Sequence, residues 1–172
     1  YNVIIENMLK DVEVELGVDF FANRQELEAS AEKVVFTGMI DQYFDYKHGE
    51  LEYRSLRFEH EVLDEENYQG NAVVNYTERE IPYTRIIEHK HFEYGTQDKT
   101  VITREYPADW KRGDEPYYPI NDERNNAMFA KYQEEAAQND KVIFCGRLAD
   151  YKYYDMHVVI ERALNVVEEE FK

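Results

Sequence analysis

The run Leu51-Glu52-Tyr53-Arg54-Ser55-Leu56-Arg57-Phe58-Glu59-His60-Glu61-Val62 changes phase part-way along. Leu51 and Tyr53 alternate with polar neighbours in one phase, and Leu56, Phe58, His60 and Val62 continue in the other. Alternation at period two is the mark of a strand with unlike faces. A one-residue slip at Ser55 predicts a β-bulge. Further strand-like runs lie at Ala72 to Tyr76, Thr84 to Tyr94 and Thr100 to Tyr106. Asn67 to Gly70, Pro82, Gly95 and Pro107 punctuate them, as turn residues do. No helical periodicity of useful length interrupts Leu51 to about Tyr106, which reads as an antiparallel meander and not as βαβ units, the centre of an antiparallel-sheet domain over 47–140.

Outward from this centre the pattern changes. Tyr1 to Leu9 reads as a helix end with Val3, Ile4 and Met8 on one face. Val12 to Leu16 alternates and stops at Gly17, which predicts a strand, and Asn23 is placed to cap a helix from Arg24 to Glu32. Val34-Val35-Phe36 is a short apolar strand ending in Thr37-Gly38. Near the other end, Asn121-Asp122 can cap a helix from Glu123 to Gln138, with Met128, Phe129 and Tyr132 inward. Val142-Ile143-Phe144 is a second apolar strand, ending in Gly146-Arg147, and a final helix places Ile160, Leu164, Val167 and Phe171 on one stripe. The two apolar strands are expected to pair in parallel. Segments 1–46 and 141–172 then form one α/β layer, with 47–140 inserted between them. The fold class is α+β: a twisted antiparallel sheet plus the C-terminal part of a nucleotide-binding, Rossmann-like α/β domain.

Composition narrows the function. The 172 residues carry 37 Asp+Glu against 20 Lys+Arg, a formal charge of −17. So acidic a chain is a poor partner for nucleic acid, whose phosphates need cations, or for an anionic bilayer. No apolar run reaches membrane-spanning length, and no secretory leader is visible. A lone cysteine, Cys145, fits a reducing compartment, so the expected location is cytoplasmic. The 7 Gly are too scattered for GxGxxG or a P-loop. The 15 Tyr suggest half-wet sheet faces or a polar ligand site.

Three stretches could carry chemistry. In Pro82 to Phe92, strand geometry would put Arg85, Ile87, His89 and His91 on one face. Arg85 reads either as a bidentate anion ligand or as half of a cross-strand salt bridge. His89 and His91 lack the further ligands of a metal site, and no metal is expected. Glu115-Pro116-Tyr117-Tyr118-Pro119 is stiffened by its prolines, and its tyrosines read either as ligand contacts or as packing in a turn. Gly146 to Met156 follows a strand and opens a helix, the place where α/β sheets hold ligands. Three Tyr, an Arg and an Asp are poor core residues there, which favours a ligand contact over the alternative of a wet interdomain surface. The serines lack a GxSxG setting, and Cys145 reads as a packed thiol.

At these residues the chain resembles bacterial UDP-galactopyranose mutase, in its C-terminal half. The shared text runs through Val35-Phe36-Thr37-Gly38, Ile40 to Tyr46, Glu52 to Leu56, Gly70 to Asn75, Pro82 to Phe92, Glu105-Tyr106-Pro107, Asp114 to Pro119 with Asn121-Asp122, and Gly146 to Met156. The resemblance implies a flavoenzyme, an isomerase of nucleotide-sugar metabolism serving galactofuranose and cell-wall polysaccharide synthesis. It would interconvert UDP-galactopyranose and UDP-galactofuranose through an adduct of flavin N5 with the sugar. It further implies a sheet of about six strands and reduced FAD as cofactor. By the same resemblance Arg85, Tyr118 and Tyr153 contact the substrate diphosphate, Asn75 the uridine pocket and Glu105 the sugar. Thr37, Gly38, Gly146, Arg147, Asp155 and Met156 fall at flavin-contacting positions, with Asp155 also near the substrate. Cys145 and Met39 depart from the family's usual Gly and Pro. The family's Gly-rich FAD fingerprint, helical domain and mobile loop have no counterpart in this sequence. The chain alone is therefore expected to bind FAD poorly and to be inactive, with a homodimer as the assembly considered. The alternative is a stand-alone UDP-binding module without flavin chemistry.

Overall fold

The computed structural model describes residues 2–170. Five strands form an antiparallel sheet: β2 (Tyr53–Leu63), β3 (Val73–Asn75), β4 (Arg85–Glu88), β5 (Thr100–Asp109) and β6 (Tyr118–Pro119), in spatial order β3-β4-β5-β2-β6. A separate parallel pair joins β1 (Val34–Phe36) to β7 (Val142–Phe144). Helices α1 (Asn2–Met8), α2 (Arg24–Ser30), α3 (Ile40–Tyr43), α4 (Glu123–Ala136) and α5 (Met156–Glu170) complete the α+β fold. The sheet has five strands, against the roughly six that the resemblance implies.

The β1–β7 pair forms as expected, Val34 opposite Val142 and Phe36 opposite Phe144. An aromatic cluster of Phe20, Phe21, Phe36, Tyr43 and Phe144 covers it, with Tyr43 and Phe144 meeting edge-to-face at 4.8 Å. Helix α4 begins where Asp122 caps it, its carboxylate accepting the Asn125 N–H at 2.7 Å. Its Phe129 and Tyr132 are buried against Ile40, Leu51, Tyr53 and Tyr151. Residues from both expected domains thus share one core, with α4 along the seam. Two polar groups fix that seam. The fully buried Asp41 carboxylate accepts the Leu51 N–H at 2.9 Å, and the Tyr132 hydroxyl donates to the Gly49 carbonyl at 2.6 Å.

Several expectations are corrected. There is no strand at Val12 to Leu16; those residues are exposed coil, Leu16 at 89%, because alternation without a partner strand leaves backbone groups to water. No bulge interrupts β2. Its register with β5 is unbroken from Arg54↔Asp109 to Leu63↔Thr100. The phase change at Ser55 is a change in which face is covered: Tyr53 and Ser55 are buried by the rest of the protein, while beyond them both faces are open. The strand expected from Thr84 to Tyr94 is only β4; the chain then turns through a 3-10 helix at His89–Phe92. Pro107 does not end β5 but lies inside it, opposite Leu56. Asn23 precedes α2 without a side-chain cap; its amide instead donates to the Asp19 carbonyl. On α5 the buried residue is Val166, while Ile160, Leu164 and Val167 are exposed. Phe171, placed on that stripe, lies outside the described residues.

The two faces of the antiparallel sheet differ in how their charges are paired. Residues directly opposite in an antiparallel pair share a face. On one face Arg57, Tyr106, Glu59 and Arg104 satisfy each other: the Tyr106 hydroxyl donates to Glu59 at 2.8 Å, Arg57 lies over the Tyr106 ring, and Arg104 reaches Glu61 at 2.6 Å. The other face carries Asn75, Arg85, Glu105 and Phe58 in one row across four strands.

Candidate nucleotide-sugar site

The row begins at the edge strand. The Asn75 carboxamide oxygen accepts from Arg85 Nε at 2.9 Å, and Glu105 Oε2 lies 3.4 Å from Arg85 Nη1. Arg85 thus makes a cross-strand contact, but a long one, and its side chain stays 38% exposed while that of Glu105 is 9%. Nε and Nη1 are thus occupied, one closely and one loosely, and the side chain is still in part open to water. Beside Glu105 a groove of about 380 Å³ runs between β5, β2 and β6, lined by Arg54, Leu56, Thr84, Glu105, Pro107 and Tyr118. Tyr118 stands opposite Arg54 on the same face.

The loop after β7 reaches this part of the sheet at Tyr118. The Tyr153 ring lies 5.5 Å from that of Tyr118. Arg147 sits over Tyr153 at 4.9 Å and donates from Nη2 to the Tyr117 carbonyl at 2.9 Å. Tyr151 bolts this loop to the sheet. Its hydroxyl accepts the Ile120 N–H at 3.1 Å and lies against the Glu52 and Ile120 carbonyls. Tyr151 is fully buried at φ +47°, a left-handed conformation that costs a side-chain-bearing residue about 1 kcal/mol. Burial pushes its hydroxyl well above the usual range.

The structure therefore brings Asn75, Arg85 and Glu105 into one cluster and Tyr118, Tyr153 and Arg147 into another, with the groove touching both. His89 and His91 leave the row: His89 meets the Thr103 hydroxyl at 2.6 Å, and His91 pairs with buried Glu88 at 3.1 Å. Thr37, Gly38 and Gly146 meet at the carboxyl ends of β1 and β7, where Cys145 N–H donates to the Phe36 carbonyl. Gly146 has φ +105°, which a side-chain-bearing residue would strain to adopt, and an added Cβ would lie 3.7 Å from the Thr37 Cβ. A Cβ on Gly38 would meet the Phe36 ring at 2.7 Å. Asp155 and Met156 are exposed at the start of α5. These bare strand ends, with the Thr37 hydroxyl and an exposed helix start, fit the rim of a dinucleotide cofactor site. Arg147 serves Tyr117 and Tyr153 in this arrangement. Burial raises the Cys145 thiol pKa, as befits a packed group.

One site residue escapes the sequence reading. Arg54 lines the groove with no side-chain hydrogen bond or ion pair among the described residues. The unbroken alternation of β2 is the signal for it: without a bulge, Arg54 shares a face with Leu56 and Phe58.

A sequence model of the UDP-galactopyranose mutase family matches residues 1–153. The chain belongs to that family. It is 34% identical over 98% of its length to dTDP-fucopyranose mutase of Escherichia coli, covering 46% of that protein. It is 36% identical over 93% of its length to a probable UDP-galactopyranose mutase of Klebsiella pneumoniae, covering 41%. With UDP-galactopyranose mutase of Mycoplasma pneumoniae it shares 38% identity over 79% of its length, covering 35%. The mutase-family chain thus spans less than half the length of these relatives. Among its described residues, no helix is long and apolar enough to cross a membrane.

Proposed function

We propose that this chain supplies the sugar-nucleotide-binding sheet, and part of the flavin rim, of a UDP-galactopyranose mutase. The observation that carries the reading is Arg85, tethered at Nε by Asn75 and only loosely, at 3.4 Å, by Glu105, with its side chain still 38% exposed, on a face where Arg54 has no side-chain hydrogen bond or ion pair among the described residues. Two cations on one face, with Tyr118 lining the groove and Tyr153 against its ring, suit a nucleoside diphosphate. The opposite face, whose arginines are already paired, does not.

In this reading Arg85, Tyr118 and Tyr153 hold the diphosphate, Asn75 lies toward the uridine and Glu105 toward the sugar. Segments 1–46 and 141–172 form the flavin-side layer and 47–140 the substrate sheet. Thr37, Gly38, Gly146, Arg147, Asp155 and Met156 would border FAD. Bound and reduced, that cofactor supplies a nucleophile to the sugar. The chain's own residues contribute orientation of the nucleotide and neutralisation of the leaving diphosphate, the electrostatic part of catalysis. The relative named for dTDP-fucopyranose makes a thymidine nucleotide the competing ligand to test beside UDP.

Titration calorimetry of the chain with UDP tests the reading. Binding is expected for the wild type and at least tenfold weaker binding for Arg85→Ala, the usual scale for a charge-assisted hydrogen-bond donor. Equal affinities in the two proteins would refute the assignment of Arg85.

A further inference from the structure

The contact between Arg85 and Glu105 has the form of a restraint on the arginine. We propose that Glu105 is a positioning residue that weakens the grip of Arg85 on an anionic ligand, competing with the diphosphate for the same guanidinium. The inference rests on the sugar-nucleotide reading and adds to it a role through Arg85 in place of direct sugar contact.

Three features carry it. First, Glu105 is nearly buried, so its charge is poorly screened by water, and it faces Arg85 across the β4–β5 rung. Second, the separation of 3.4 Å exceeds the 2.7–2.9 Å of a tight charged pair, so the carboxylate holds the guanidinium without saturating it. Third, Arg85 is the one cation that Glu105 contacts among the described residues. Arg104 and Arg57 lie on the opposite face and are taken by Glu61 and Glu59. On the site face Glu105 has Phe58 directly opposite on β2 and Thr103 and Pro107 along its own strand, none of them charged. Arg54, in the groove, forms no ion pair with it. An incoming diphosphate that binds Arg85 therefore meets a carboxylate already leaning on the same cation. Affinity is held down, and release after turnover is correspondingly faster.

Glu105→Gln keeps the shape and removes the charge. It is expected to tighten UDP and inorganic pyrophosphate by about three- to tenfold, the scale of one unit charge acting on a ligand that stays largely open to water, and to leave uridine binding unchanged. If Glu105 did not act on Arg85, neither anion would gain. Circular dichroism checks that the variant is folded. If the wild type binds UDP and Arg85→Ala does not, yet Glu105→Gln gains nothing with pyrophosphate, the restraint is refuted and the site stands. If the wild type and Arg85→Ala both fail to bind UDP, the sugar-nucleotide reading falls, and this inference with it. A gain that extends to uridine would also overturn it, because uridine carries no charge for Glu105 to repel.

Discussion

Glu88→Ala is expected to lower the free energy of unfolding by about 3 to 5 kcal/mol, the scale for stripping one partner from a buried charged network. Glu88 is completely buried, yet its carboxylate has four partners. It accepts the N–H groups of Tyr68 at 3.0 Å and Gln69 at 2.9 Å and the hydroxyl of Thr100 at 2.8 Å, and it faces His91 at 3.1 Å. Beside it the Lys90 ammonium donates to the carbonyls of Glu66 and Gln97. Together they tie the loops before β3 and β5 to the end of β4. Removing Glu88 leaves the buried Thr100 hydroxyl and two part-buried backbone N–H groups without their acceptor. Burial by itself pushes the Glu88 pKa up; the two backbone bonds, the Thr100 hydroxyl and the charge of His91 outweigh it and bring it down from 4.5 to about 2. A carboxylate depressed in the folded state contributes fully above its unfolded value, and the contribution is lost as pH falls through the folded one. The difference in stability between wild type and Glu88→Gln should therefore shrink between pH 4.5 and about 2. Denaturant titrations at several pH values read this directly. A constant difference across that window would show that Glu88 is not charged in the folded protein.

Tyr151→Ala should cost a similar amount, about 4 kcal/mol, the range for deleting a large aromatic from a core. The ring packs against Tyr53 at 5.3 Å and Phe129 at 5.6 Å, joining the loop after β7 to both β2 and α4. Tyr151→Phe keeps the ring and removes only the hydroxyl that spans Glu52 and Ile120, so its cost should be about 1 kcal/mol. The functional consequence differs from the energetic one. Tyr153 stands two residues on, and its distance from Tyr118 is fixed by how firmly this loop sits on β6. The Phe variant should therefore bind UDP more weakly while remaining folded in the same denaturant titration. Unchanged UDP affinity in a folded Phe variant would separate the bolt from the site.

Elements with a partner written into their own pattern were readable in advance. β1 and β7 are apolar runs ending at small residues, and α4 has both a cap at Asp122 and an inward stripe through Phe129 and Tyr132. Elements decided by their neighbours were not. Val12 to Leu16 alternates as well as β2 does, but nothing pairs with it. The turn after Glu88 replaces a strand because that buried carboxylate gathers donors from two loops, a long-range demand that no local window contains. The supposed bulge at Ser55 follows from equating apolar residues with the covered face. On this sheet the open face is the more apolar along β2, with Leu56, Phe58 and Val62, and the same assumption conceals Arg54. Alternation locates the row that holds Asn75, Arg85 and Glu105 only once the register is known, since a one-residue slip would turn every side chain over.

The parallel pair of β1 and β7 also dictates an order of assembly. Val34 and Val142 are partners, so an unfolded chain must close a loop of roughly 100 residues to join them, at an entropic cost of about 4 kcal/mol, and gains only three paired positions. The hairpin-like contacts of β3 with β4 and of β4 with β5 join nearer neighbours. Once the sheet and α4 have formed, they bring the two distant strands close and most of that cost has already been met. The antiparallel sheet is then the early part of the molecule and the β1–β7 layer the late one. Amides of Val142 to Phe144 would accordingly exchange with solvent before those at the centre of β5.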